Sequence, residues 1–179
     1  MRAAFTLALL MTPALLSAQT SHPHPSPNLA LRLQPGKLVD GFPTSFTFVF
    51  TNITHHDVRM PKPSNCGSSE TGTVDLRVSE TPPQDSGMGG GCGSGTTDLP
   101  PMRIQAKSWP ALKPGHSLRA TYSLKQLFFY DYGPATYEFS AEYTPPVIPP
   151  DDQQALTAEG IDFPRSRLTS PHLIFVKKH

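Results

Sequence analysis

The chain has few cysteines, few charges and almost no excess of either sign. Lys and Arg number 15 against 14 Asp and Glu in 179 residues. So even a balance gives no electrostatic footprint for a nucleic-acid backbone or an anionic membrane surface, and it excludes both as principal partners. Motifs for cofactors and catalysis are missing as well. The Gly-rich run 87–95 has no Lys-Ser or Lys-Thr behind it and no Gly-x-Gly-x-x-Gly register, which excludes a phosphate cradle. No Gly-x-Ser-x-Gly is present, and Ser86, Ser94 and Ser108 stand in no recognisable nucleophile context. Asp151-Asp152 reads as a pair of acids at a helix start, where the positive end of the dipole favours them. The sequence therefore assigns no catalytic residue, no cofactor and no cofactor-binding residue. Cys-x-x-Cys, His-x-x-x-His and His-Glu-x-x-His spacings are absent too, so it assigns no metal ligand.

Long apolar runs are scarce, and the one that exists lies at the N-terminus. Arg2 precedes residues 3–16, which are apolar apart from Thr6, Thr12 and Pro13. Leu16-Ser17-Ala18 then places small residues where a signal peptidase reads them, so cleavage is expected before Gln19. The run is shorter than the roughly 18 to 20 residues that span a bilayer. Gln19 also stands where a lipoprotein signal would carry Cys. The expectation is a secreted or periplasmic protein without a membrane anchor. In a eukaryotic source Asn52-Ile53-Thr54 would further read as a glycosylation acceptor.

In such an oxidising compartment the pair Cys66 and Cys92 is expected to form one disulfide. The two lie 26 positions apart. Chain entropy gives a loop of that size about 3 to 4 kcal/mol. It would brace the most Gly-rich stretch of the chain, where unfolded-state entropy is largest.

What the sequence does hold is proline, glycine and short alternating segments. The organisation reads as a signal peptide (1–18), a Pro/His-rich extended lead-in (19–27) and one domain (28–179). Residues 29–33 alternate apolar with small or polar. In 45–52, Phe46, Phe48 and Phe50 share one face, and Ser45, Thr47, Val49 and Thr51 the other, a period of two rich in strand-forming types. Residues 57–60 read as a short return strand. Val74, Leu76 and Val78 point inward from 72–79. Leu118, Ala120, Tyr122 and Leu124 do so from 117–124. Tyr137, Phe139, Ala141 and Tyr143 do so from 135–143, opposite polar residues that meet water. Residues 102–106 read as a further short strand, and Leu173-Ile174-Phe175-Val176, a continuous apolar run, as a central one. Residues 151–160 are the one helix-like segment, stopped by Gly160. Residues 81–101 and 144–170 read as long irregular loops. The fold class expected is all-β, an antiparallel sandwich of about seven to eight strands.

The stretch 109–143 resembles the second half of an immunoglobulin or fibronectin type III domain. Leu112-Lys113-Pro114-Gly115 leads into a strand there, and Gly133, Tyr137 and Phe139 follow in a Gly-x-x-x-Tyr-x-aromatic pattern. The resemblance implies an immunoglobulin-like sandwich, with Tyr137 as a corner tyrosine whose hydroxyl bonds back to nearby backbone. Phe139 stands where antibody domains keep a cysteine. The strand 46–52, ending in Asn, is similar to one found in many bacterial secreted sandwich domains, including those resembling the BsuPI-type proteinase inhibitor.

Fold alone does not fix function. With no catalytic set, the reading is a non-enzymatic module. Its long loops would contact another extracellular protein or a polymer, because loops on a rigid scaffold are where such folds carry function. An alternative is a proteinase inhibitor built on the disulfide-braced loop near Cys92. Another is extracellular copper or zinc binding by His55, His56, Met60, Cys66, Met88 and Cys92, whose sulfur and imidazole ligands suit those ions. The aromatic run 128–132 reads as a plug between the sheets.

Overall fold

The computed structural model describes residues 27–66, 72–83, 101–130 and 133–178. In chain order the elements are β1 (Leu29–Pro35), β2 (Leu38–Val39), β3 (Phe42–Pro43), β4 (Ser45–Asn52), β5 (Val58–Arg59) and β6 (Thr73–Thr81). Then come α1 (Met102–Ser108), β7 (Ala111–Leu112), β8 (Ser117–Ser123), β9 (Ala135–Thr144), α2 (Pro150–Ala158), β10 (Leu168–Thr169) and β11 (Leu173–Lys177). The protein is mostly β, in several antiparallel sheets.

One main sheet has the order β1-β4-β8. Its register sets Leu31 opposite Phe50 and Phe48 opposite Ala120. In the other main sheet β9 is central. It pairs with β6 along one edge, while β11 and β10 share its other edge in succession. Between those two strands the ladder is kept by a side chain. The Ser170 N–H donates to the Ala141 carbonyl at 2.9 Å, and the Ala141 N–H donates to Ser170 Oγ at 2.8 Å. The buried Ser170 hydroxyl thus supplies the acceptor for the Ala141 N–H and donates in turn to the Pro171 carbonyl at 2.9 Å.

The alternation in the sequence decides which faces meet. Phe46, Phe48 and Phe50 of β4 and Tyr137, Phe139, Ala141 and Tyr143 of β9 are all fully buried. Rings from the two sheets meet edge-on or tilted: Phe46–Phe139 at 4.9 Å between centroids and Phe50–Tyr143 at 5.0 Å. These are geometries that aromatic pairs prefer. Phe129 closes one end of this core, 5.4 Å from Phe139; of the rest of the run 128–132 read as a plug, Tyr130 is exposed, and residues 131 and 132 lie outside the described residues. The Tyr137 hydroxyl donates to the Gly133 carbonyl at 2.9 Å, the backbone contact expected of a corner tyrosine.

Two local signals in the chain explain two turns. Asp40 and Gly41 both have positive φ, 52° and 79°, and join β2 to β3. An Asp-Gly pair supplies that conformation at low cost and makes a tight hairpin. After α2, Gly160 has φ 72°, its N–H bonds to the Thr157 carbonyl, and the Ile161 N–H bonds to the Leu156 carbonyl. That is a Schellman closure, with Ile161 folding back towards the buried Leu156.

Two expectations need correction. Residues 102–106 are helical, not extended. Met102, Ala106 and Trp109 recur at helical spacing and bury one side of α1. They join Ile148, Leu156 and Phe163 in a second, smaller core. Leu173–Lys177 is not central: among the described residues β11 pairs with β9 alone, and Ile174 and Val176 are exposed. A run of apolar residues hides the alternation that an edge strand still obeys. The stretch 144–170, expected to be irregular apart from a helical segment over 151–160, does carry that helix as α2, and it also carries β10 and half of the second core.

Candidate functional site

The Schellman closure of α2 delivers Asp162 to one end of the two main sheets, where three distant segments meet. The Arg59 N–H donates to the Asp162 carbonyl at 2.8 Å and fixes the backbone beside β5. The side chain is then fully engaged. Asp162 Oδ2 accepts from Asn28 Nδ2 at 3.0 Å and from His56 Nε2 at 2.9 Å. Asp162 Oδ1 accepts from the Phe163 N–H at 3.0 Å and lies 3.2 Å from an Arg165 guanidinium nitrogen. Asn28 donates also to the Phe163 carbonyl at 2.8 Å. The Arg165 guanidinium lies over the Phe163 ring, 4.9 Å from its centroid, a cation–π contact. Burial pushes the Asp162 carboxyl up. The bonds from Asn28, His56 and Phe163 and the charge of Arg165 outweigh it, so the group lies below its ordinary value.

Around this hub opens a cleft of about 550 Å³, lined by Asn28, Thr54, His56, Thr157, Asp162 and Arg165 among others. Its walls come from the start of β1, the turn after β4 and the segment after α2. The turn is built by Asn52, which is buried. Asn52 Nδ2 donates to the carbonyls of His56 and Leu112, each at 2.7 Å, and its Oδ1 accepts from the Thr54 N–H at 2.9 Å. An amide nitrogen committed inside the fold is not an acceptor for glycan, so the Asn52-Ile53-Thr54 pattern is structural.

The cleft holds a hydroxyl, an imidazole and a carboxylate, the residue types of a nucleophilic triad. The imidazole and the carboxylate are joined, as they would be in a triad, through His56 Nε2 and Asp162 Oδ2 at 2.9 Å. The hydroxyl is not part of that line: Thr54 Oγ1 donates toward Asn52 Oδ1 at 2.8 Å or the His56 carbonyl at 3.0 Å, not toward the imidazole. The arrangement suits recognition through fixed donors and acceptors.

The residues singled out in the sequence fall differently. Met60 is buried in the main core, and His55 is exposed beside a His56 that is turned to Asp162. Met88 and Cys92 lie outside the described residues. Among the described residues no group of three His, Cys, Asp or Glu is placed to hold a metal ion. The Cys66 N–H donates to Ser64 Oγ at 3.1 Å. Because Cys92 lies outside the described residues, so do the expected bridge and most of the loop 81–101. No described helix is long and apolar enough to cross a membrane. No motif in the sequence marks Asn28, Asp162 or Arg165: Asn28 and His56 lie 134 and 106 positions from Asp162. The only local hint was the Gly160 stop that aims Asp162.

Compared with protein-family models, with curated proteins and with solved structures, the chain matches none.

Proposed function

We propose that this chain is a secreted or periplasmic, non-enzymatic immunoglobulin-like module that binds another extracellular protein or a polymer. The cleft around Asp162 is its recognition surface. The observation that carries the reading is the Asp162 hub. One carboxylate ties the start of β1, the turn after β4 and the segment after α2 into a preorganised polar surface at one end of a β scaffold. Preorganisation of that kind lowers the ordering cost of binding. The strand orders support the immunoglobulin-like reading. β1, β4 and β8 form one sheet, β6, β9 and β11 the facing one, and a corner tyrosine stands at the start of β9. The Cys66–Cys92 bridge and export with cleavage before Gln19 belong to the same reading.

The test is a binding screen of the exported protein against extracellular proteins and polysaccharides, repeated with Arg165→Ala and Asp162→Asn. Wild type retains a ligand, and each substitution weakens it about tenfold or more, as central anchors do. A ligand bound equally by all three proteins would remove the cleft from the account. Intact mass of the exported chain, with and without alkylation, checks the rest. A chain starting at Gln19 that takes up no alkylating agent supports it, and two alkylated thiols contradict the bridge.

A further inference from the structure

Strand β11 closes the second sheet on one side. Over Leu173 to Val176 no described strand takes its outer edge. Exposed edges of this kind template pairing with another chain. Leu173 and Phe175 are half-buried against the main core. Ile174 and Val176 stand on the opposite face, 65% and 55% exposed. Their cross-strand neighbours on β9 are polar: Glu138 opposite Ile174, Thr136 opposite Val176. The rest of that outer face is charged, with Glu142 held between Arg77 and Arg167. Two large apolar residues on one face of one edge strand are out of keeping with this surface.

We propose that β11 is a homodimer interface, in which two copies pair antiparallel about a two-fold axis at Phe175 and join their second sheets into one. The strand is self-complementary in that register alone. Ile174 lies opposite Val176 of the partner subunit, and Val176 opposite the partner subunit's Ile174, so both exposed residues acquire apolar cross-strand partners. Moving the axis by one residue, to Val176, sets Ile174 against Lys178 of the partner subunit. Moving it the other way, to Ile174, sets Val176 against the partner subunit's His172. Moving it by half a residue turns the core face of one copy onto the outer face of the other. Charge agrees with the favoured register. Lys178 falls opposite the partner subunit's His172, which lies 2.6 Å from Glu138, so an ammonium approaches a carboxylate. The proposal does not rest on the cleft reading, which concerns loops at the end of the sheets.

Sedimentation equilibrium of the exported protein over a range of micromolar concentrations tests it. The expected result is a monomer–dimer equilibrium. Val176→Lys raises its dissociation constant by about tenfold or more, equivalent to roughly 1.4 kcal/mol. Val147→Lys, at a residue 67% exposed but away from β11, leaves the constant unchanged. Ile174→Thr keeps the β-branch the strand prefers and weakens the dimer with an unchanged circular dichroism spectrum, which separates lost pairing from lost folding. A wild type that stays monomeric throughout, or a dimer indifferent to both β11 substitutions, would overturn the proposal. So would a β11 edge that pairs only with a different protein.

Discussion

The protein has two cores, and they are made in different ways. The larger lies between the main sheets and is assembled from strands that each announce an inner face: Phe46, Phe48 and Phe50 on one, Tyr137, Phe139 and Tyr143 on the other. The smaller gathers Met102, Ala106, Trp109, Ile148, Leu156 and Phe163 from two short helices and the segments that flank them. α1 and α2 have 7 and 9 residues. Isolated helices that short are marginal in water, so they exist because they dock. Ion pairs from Arg103 and Lys107 to Glu159 clasp them together. The first core is a scaffold. The second is a cap fastened to it through Asp162, Asn28 and His56, and the cleft lies along that join.

Substitutions can separate the two. The chain has a single tryptophan, Trp109, and it lies in the smaller core, so its fluorescence reports the cap while circular dichroism reports the sheets. The largest effect is expected from Phe139→Ala, which empties the centre of the aromatic cluster. It should cost about 3 to 5 kcal/mol, and both signals should fall together because the cap has nothing left to dock on. Leu156→Ala should cost about 2 to 4 kcal/mol and shift the fluorescence transition ahead of the sheet transition. Coincident transitions in that variant would merge the two cores into one cooperative unit.

Asp162→Asn comes next. Removing the charge from a hub that accepts several bonds should cost about 1 to 3 kcal/mol at neutral pH. The carboxyl lies below its ordinary value in the folded protein. Its stabilisation is therefore complete above the unfolded-state value and is lost as pH falls through the folded-state value. Chemical denaturation at several pH values should show the gap between wild type and variant closing toward acid. A gap that widens toward acid would reverse the assigned direction. The smallest effect belongs to Tyr137→Phe, which deletes the bond to the Gly133 carbonyl and should cost about 1 kcal/mol in the same assay, with both signals moving together.

The contrast between the cores also explains what could be read from the chain. A strand writes its burial into neighbouring residues, so β1, β4, β6, β8 and β9 and their inward faces follow from alternation alone. Tyr137 carried a second local signal, the Gly four residues before it. The helix α1 was misread because Met102, Ile104 and Ala106 satisfy a period of two as well as one helical turn. Only the docking of Ala106 and Trp109 against Leu156 decides between them. β11 was placed at the centre because Ile174 and Val176 are apolar, although the sheet leaves them outside. The Asp40-Gly41 hairpin is legible in the chain as an Asp-Gly pair between apolar residues. The cleft was not legible: Asn28, His56 and Asp162 are joined by folding, and no spacing encodes them.

Native-state hydrogen exchange on the wild-type protein tests the scaffold-and-cap account most directly. Two levels of protection are expected. Amides of β4 and β9 should exchange only through global unfolding, while those of α1, α2 and the Ile161–Leu156 closure exchange through a smaller opening at lower free energy. A single level of protection across both cores, with helix amides as slow as those of β9, would contradict it.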